Sequence, residues 1–171
     1  MIAARWYWVG LLGSGALLAI AYFYFQLKLG LPPCPLCMFQ RACLVGVAFF
    51  CLLGLIFRPK KIGSKFLAFG GLVSSATGLA IAGRQVWLQN LPADKVPECG
   101  PDLEFMLEAF PLMQTIKTVL SGSGECAEIQ WQWLGLSMPA WMILVFAVMV
   151  LICIKLLFIK ERNYFSGALG R

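Results

Sequence analysis

The chain has 171 residues, of which 60% are apolar and only 13% are charged. An ordinary soluble domain has about 25% charged residues, so this composition indicates a membrane protein. The net charge of +6 does not indicate nucleic-acid binding, because no stripe of lysine and arginine with interleaved aromatic residues accompanies it. The lack of histidine excludes mixed cysteine and histidine zinc sites and any histidine-based triad.

Four long apolar segments follow one another along the chain. Because a helix needs about 20 apolar residues to cross the hydrocarbon, they predict transmembrane helices at about residues 6–25, 38–57, 66–87 and 137–157. Lipid offers the backbone no hydrogen-bonding partner, so these spans must be helices rather than strands. The first segment is too long for a secretory signal and is interpreted as a retained helix. The predicted fold is an all-α membrane protein, with residues 1–171 forming a single bundle of four transmembrane helices.

The loop charges predict the orientation of this bundle. Basic residues near both termini and in the loop 58–65 fall on one side of the membrane if the four helices alternate. By the positive-inside rule this side is cytoplasmic, which places both termini in the cytoplasm. The opposite, outer side then carries a short loop, residues 26–37, and a long loop, residues 88–136. The long loop holds seven of the eight acidic residues of the chain.

The long loop also contains a pattern of its own. Residues 101–120 place apolar side chains at helical spacing, which predicts one or two short amphipathic helices. These helices would lie either on the membrane surface or on a small core within the loop. The stretch SGSGEC, which ends at Cys126, has the composition of a flexible hinge.

The seven cysteines divide into two groups. Cys34 and Cys37 lie in the short outer loop or at its edge, and Cys99 and Cys126 lie in the long one. Disulfides persist on this side of the membrane. The other three lie within apolar helices and are interpreted as small hydrophobic residues. These three are Cys43, Cys51 and Cys153.

The C-x-x-C pair of Cys34 and Cys37 has three common meanings. A zinc site needs a second pair at suitable spacing, and the spacing of Cys99 and Cys126 does not support one, so no metal is predicted. Two structural disulfides would also satisfy the four cysteines, but a Cys34–Cys37 ring is small and gains little loop entropy. Small rings of this type are typically active in thiol exchange, which favours a redox dithiol.

The residues around and after the pair support the redox interpretation and suggest an electron acceptor. If the second helix begins near Pro35 or Leu36, Cys37 lies in its first turn, where unpaired N–H groups stabilise a thiolate. Arg41 lies on the same helix face, one turn deeper. An arginine within a transmembrane segment suggests a function, although snorkelling would explain why it is tolerated. A thiolate beside an arginine suits electron delivery to an apolar acceptor with carbonyl groups, such as a quinone.

The second pair extends this scheme into a relay. Cys99 lies in the proline-bracketed stretch KVPECGPD, and an accessible disulfide between Cys99 and Cys126 could exchange with a soluble partner. Its electrons would then pass to the dithiol at the membrane edge. Two cysteine pairs in series would end at a lipid-soluble oxidant.

Two stretches carry a resemblance to a known family. PCPLCMFQR, residues 33–41, and SGSGECAEIQWQWLGLSMPAW, residues 121–141, resemble the bacterial disulfide bond formation protein DsbB family. That family is a four-helix inner-membrane bundle with a cysteine pair in each of two periplasmic loops. The resemblance covers essentially the whole chain in helix count, loop order and cysteine placement. It implies a multi-pass inner-membrane protein that reoxidises the periplasmic thiol oxidase DsbA, with ubiquinone or menaquinone as electron acceptor.

The resemblance also implies roles for individual residues. Cys99 would be attacked by DsbA to form a mixed disulfide, and its partner Cys126 would then engage Cys34. Cys37 would be the thiolate that faces the quinone, and Arg41 would contact the quinone. These are the expected catalytic and quinone-binding residues of the chain.

One position departs from the family pattern. Family members often carry a histidine near the outer end of the third helix, whereas this chain reads GRQVWLQ there. Gln85 could still donate a hydrogen bond to a quinone oxygen, but it cannot shuttle a proton as a histidine would. Arg84 is interpreted as snorkelling to the interface rather than as a second charge for the quinone.

Two other families share part of this pattern. A vitamin K epoxide reductase-like protein also pairs loop cysteines with a C-x-x-C in a four-helix bundle, but that family has the motif in a late helix. A tetraspanin-like scaffold has four helices and a large outer loop with cysteines, and would need no reactive thiol. Quinone reduction separates the scaffold from the two enzymes.

Overall fold

The computed structural model of the chain describes residues 2–57, 61–92, 111, 113 and 124–158. Helix α1 spans Ile2–Ala19 and continues as a π-helix over Ile20–Lys28. The remaining elements in chain order are α2 (Pro35–Phe57), α3 (Lys61–Gln89), α4 (Gly124–Ala127), β1 (Gln132–Trp133), β2 (Leu136–Ser137) and α5 (Met138–Phe158). Cys99 lies outside the described residues, as does the amphipathic segment predicted at 101–120 apart from residues 111 and 113.

Four helices of the described ranges are long and apolar enough to cross a membrane. This finding confirms the predicted all-α bundle of four transmembrane helices. Two helices also run beyond the apolar segments, because α1 continues through its π-helical turn to Lys28 and α3 already begins at Lys61. The apolar pattern marks the part of a helix that faces lipid, whereas the helical backbone can continue into the interface.

The transmembrane helices pack in chain order, with α1 against α2, α2 against α3 and α3 against α5. At one end of the bundle, the Tyr7 hydroxyl of α1 lies 3.4 Å from Ser64 Oγ of α3. At the same end, the Lys155 ammonium of α5 lies 4.8 Å from the centre of the Trp6 ring. The starts of α1 and α3 therefore meet the end of α5, as in an up-and-down bundle.

Close approach of the helices depends on glycine at particular positions. Gly78 of α3 faces the ring of Phe146 on α5, and a Cβ at this glycine would overlap that ring. Phe146 is fully buried, so the ring has little space into which it can move. Small residues let transmembrane helices approach closely where hydrophobic driving force between helices is weak.

We expect Gly78→Ala to destabilise the bundle by about 1–3 kcal/mol, because the added methyl group overpacks the interface with Phe146. Gly83→Ala is the matched control in the same helix, since a Cβ there meets no atom within 4 Å. That substitution should be neutral or stabilising, because alanine favours helix over glycine. Thermal unfolding in detergent measures the stability of both variants relative to the unsubstituted protein. Equal stability of the two variants would contradict the packing argument.

A short antiparallel hairpin, β1 and β2, leads into α5. Its turn residues Leu134 and Gly135 have φ values of 51° and 77°, as a two-residue hairpin turn with the twist of its strands requires. The hydroxyl of Ser137 lies 2.7 Å from Oε1 of Gln89, to which it donates. The indole N–H of Trp141 donates to the Trp133 carbonyl at 3.2 Å. These bonds hold the segment after α4 against the outer ends of α3 and α5.

Candidate functional site

The C-x-x-C pair lies at the N-terminus of α2, where its sequence builds the helix cap. Cys34 directly precedes the helix, and its carbonyl accepts the N–H of Met38 at 3.1 Å. Pro35 occupies the first helical position, where the missing N–H costs nothing and the fixed φ suits a helix. The N–H of Cys37 donates to the Cys34 sulfur at 3.4 Å, in the manner of an N-cap side chain. The motif CPLC therefore places both sulfurs at the positive end of α2.

Three cysteine side chains meet at this helix start. The Cys34 thiol donates to the Cys37 sulfur, and the two sulfur atoms are 2.6 Å apart. Cys126 of α4 is fully buried and hydrogen-bonds with the side chain of Cys34. These bonds to Cys126 and Cys37, together with burial, raise the pKa of the Cys34 thiol well above its usual range. Cys34 therefore keeps its proton and shares it with the neighbouring sulfur.

Two glutamine side chains extend the cluster from α2 to α3. The Gln85 Nε2 group donates to the Cys34 sulfur at 3.3 Å and to the Cys37 sulfur at 3.4 Å. The Gln85 Oε1 atom accepts a bond of 2.8 Å from Nε2 of Gln40. Both glutamines are more than 95% buried, in a part of the bundle where unpaired amides would be costly.

Arg41 connects α2 to the π-helical end of α1. Its guanidinium donates to Oε1 of Gln26 at 2.9 Å and to the carbonyl of Ala21 at 3.1 Å. π-Helical turns leave backbone carbonyls in unusual positions and often occur at functional sites. Arg41 is thus held by α1 inside the bundle instead of extending along the helix toward water.

A cavity of about 110 Å³ lies between α1, α2, α3 and the start of α5. Apolar side chains form most of its wall, and four polar residues of the cluster reach it. These are Cys37, Gln40, Arg41 and Gln85. An apolar wall with a cationic donor and a thiol suits a flat apolar group that carries carbonyl oxygens. The residues present therefore fit a quinone headgroup.

The structure brings together five of the six residues expected at the site, and Cys99 lies outside the described residues. Cys34, Cys37, Arg41 and Gln85 meet at one end of the bundle, and Cys126 joins them from α4. The Nε2 group of Gln85 donates to the two sulfurs. The sequence instead predicted that Gln85 would donate to a quinone oxygen. Sequence reasoning missed Gln40 and Gln26. Their signal was a polar amide in or beside an apolar helix, which is costly to bury without a partner.

Comparison with known proteins agrees with this geometry. The family model described as disulfide bond formation protein DsbB matches residues 3–156. Disulfide bond formation protein B of Marinobacter nauticus is 40% identical over 164 residues, which cover 95% of both chains. The protein of the same name from Stutzerimonas stutzeri is 44% identical over 146 residues, or 85% of this chain and 89% of the relative. The one from Hahella chejuensis is 47% identical over 140 residues, or 82% and 84%. The resemblance found in the cysteine motifs is thereby confirmed, and the chain belongs to the DsbB family of disulfide bond formation proteins.

Proposed function

We propose that this chain reoxidises a periplasmic DsbA-type thiol oxidase and passes the electrons through two cysteine pairs to a membrane quinone. Family membership makes the chain a multi-pass bacterial membrane protein and a disulfide-generating oxidoreductase. It does not favour the vitamin K epoxide reductase-like enzyme or the tetraspanin-like scaffold. The observation that carries the proposal is the contact series from Cys126 to Cys34 to Cys37, whose last member borders the cavity with Arg41.

The exchange steps balance in bonds and electrons. A thiolate of the reduced partner attacks Cys99, which breaks the Cys99–Cys126 disulfide and releases Cys126 as a thiolate. Cys126 attacks Cys34, which breaks the Cys34–Cys37 disulfide and releases Cys37. The second thiol of the partner then frees Cys99, which attacks Cys126 and releases Cys34. The partner leaves as a disulfide, and two electrons remain on the C-x-x-C pair.

The positions of the sulfurs support the middle step. Cys126 already hydrogen-bonds with Cys34, so the two sulfurs that must bond are neighbours before the reaction. The leaving sulfur, Cys37, receives an N–H bond from Gln85 and lies in the first turn of α2, where the helix end favours negative charge. A better stabilised leaving thiolate speeds thiol exchange.

The last acceptor must be a strong oxidant. A DsbA-type oxidase has a reduction potential of about −120 mV. Its oxidation by an ordinary disulfide, which has a lower potential, would therefore be unfavourable in free energy. A bound quinone supplies an acceptor for two electrons and two protons. On the protein side, Cys37 presents its sulfur to the cavity, and Arg41 offers a fixed positive charge at the same wall. Gln85, which also lines the cavity, is proposed to act mainly on the sulfurs that it contacts.

The orientation follows from charge and from the position of the cysteines. We infer that the end of the bundle with Cys34 and Cys126 faces the periplasm, where disulfide exchange with a soluble oxidase takes place. The opposite end joins Tyr7 to Ser64 and Trp6 to Lys155, and the basic stretch 58–65 lies between α2 and α3 in the chain. Both termini are therefore assigned to the cytoplasm.

The test is quinone reduction by the purified protein in detergent. With a reduced DsbA-type oxidase and either ubiquinone or menaquinone, we expect quinone absorbance to fall in step with oxidation of the partner. Separate assays with the two quinones identify the acceptor. Stable disulfides without any quinone reduction would contradict the proposal and favour a scaffold.

A further inference from the structure

We propose that Gln40 is a positioning residue that holds the amide of Gln85 with both of its N–H bonds aimed at the sulfurs of Cys34 and Cys37. The proposal rests on the proposed function in one respect, since it takes the C-x-x-C pair as the reactive dithiol. It assigns to two buried glutamines the task of stabilising negative charge on the dithiol without a residue that titrates.

The bonding pattern of Gln85 uses each side of its amide for a different purpose. Its Nε2 group lies 3.3 Å from the Cys34 sulfur and 3.4 Å from the Cys37 sulfur. The Oε1 atom is the more distant of the two amide atoms from Cys37, at 3.8 Å from its sulfur. An amide has two donors on nitrogen and only acceptors on oxygen. A thiolate can only accept, so this orientation of the amide stabilises charge on either sulfur, whereas the opposite orientation would point an oxygen at it.

Gln40 decides between these two orientations. Its Nε2 group donates to Oε1 of Gln85 at 2.8 Å, at the short end of the usual range for an N–H···O bond. If the Gln85 amide turned by half a rotation, its nitrogen would face the nitrogen of Gln40, and two donors would oppose each other. Gln40 is 3% exposed and Gln85 is 4% exposed, so little water is present to satisfy a rotated amide.

The arrangement explains how a chain without histidine can stabilise a thiolate at this position. A glutamine cannot carry a proton to or from the site. A fixed pair of N–H donors can nevertheless stabilise a thiolate continuously, provided that a second residue prevents the amide from rotating. Gln40 lies one turn after Cys37 on α2 and reaches Gln85 on α3, so the pairing also joins the two helices that carry the dithiol site.

The test measures alkylation of Cys37 by iodoacetamide in the fully reduced full-length protein, with neither quinone nor partner present. Peptide mass spectrometry quantifies the rate at Cys37 in neutral buffer and in alkaline buffer, where the thiol is fully ionised. The ratio of the two rates reports the thiolate fraction, because a change in access would alter both rates equally. We expect Gln85→Met to lower this ratio by roughly tenfold and Gln40→Met by roughly three- to fivefold, as loss of a bond to a charged group predicts.

A double-mutant cycle distinguishes positioning from general support of the fold. If Gln40 acts through Gln85, the substitution Gln40→Met has no further effect on the ratio in a Gln85→Met background. An equal fall in both backgrounds, or an unchanged ratio in Gln40→Met, would overturn the proposal. Gln40→Leu serves as a second variant if Gln40→Met does not fold, and thermal unfolding monitors each protein. Because the assay contains no quinone, the alkylation result does not depend on whether the protein reduces quinone. Failure of the proposed function and failure of this inference can therefore be distinguished.

Discussion

Cys37→Ala should abolish steady-state quinone reduction, with a fall of at least about a thousandfold, as is typical when a nucleophile is removed. Cys37 is the cysteine of the cluster that lines the cavity beside Arg41, and Cys34 is buried. Without Cys37, no thiolate borders the cavity, so electrons on Cys34 cannot be passed to a quinone bound there. Quinone absorbance in the presence of a reduced DsbA-type oxidase measures the loss.

The same variant should still exchange once with the partner. The proposed Cys99–Cys126 disulfide would not need Cys37 for its first step, so about one equivalent of partner should be oxidised or trapped per protein. Cys43→Ala is the matched control, because this half-buried cysteine lies further along α2 and outside the cavity lining. It should retain quinone turnover. Full turnover in Cys37→Ala would remove the proposed route of the electrons.

Arg41→Ala should raise the apparent KM for quinone by roughly tenfold or more, with the thiol exchange step intact, because a charged hydrogen-bond donor is lost from the cavity wall. Steady-state rates at varied quinone concentration measure the change. Arg84→Ala provides the comparison at the same end of the bundle. The Arg84 guanidinium stacks on the Trp87 ring at 4.3 Å and does not line the cavity, so its removal should leave the KM for quinone unchanged.

Arg41 also joins α1 to α2, and its removal could act on the KM by loosening this contact. Gln26→Leu tests that route, since it removes the bond of 2.9 Å to the guanidinium without removing the charge. We expect Gln26→Leu to change the KM less than Arg41→Ala does. Equal effects would indicate that Arg41 works by holding the helices. An unchanged KM in Arg41→Ala would contradict a role for this arginine in quinone binding.

Several features of the site were predictable because they depend on residues that are close in sequence. Cys34, Cys37 and Arg41 occupy about two turns at the start of α2, so helix geometry alone places them together. Pro35 marks the start of that helix. The π-helical turn before Lys28 and its bond to Arg41 were not predictable, because a π-helix has no distinctive apolar period.

The contacts between distant residues could not be read from sequence in the same way. Four cysteines permit three pairings, and the long loop between α3 and α5 leaves the position of Cys126 open. In the structure the cysteine lies against Cys34, because the hairpin 132–137 ties the end of that loop to Gln89. The partner of Gln85 was equally hidden, since Gln40 is 45 positions away in the chain.

The sequence by itself determined the membrane bundle and the chemical class of the site. A run of about 20 apolar residues has one stable conformation in lipid, and a C-x-x-C at a helix start has a characteristic reactivity. Only the tertiary structure decided which polar groups meet the sulfurs. Hydrogen bonds act over about 3 Å, so the direction of the Gln85 amide depends on how α2 packs against α3, and no local pattern encodes that distance.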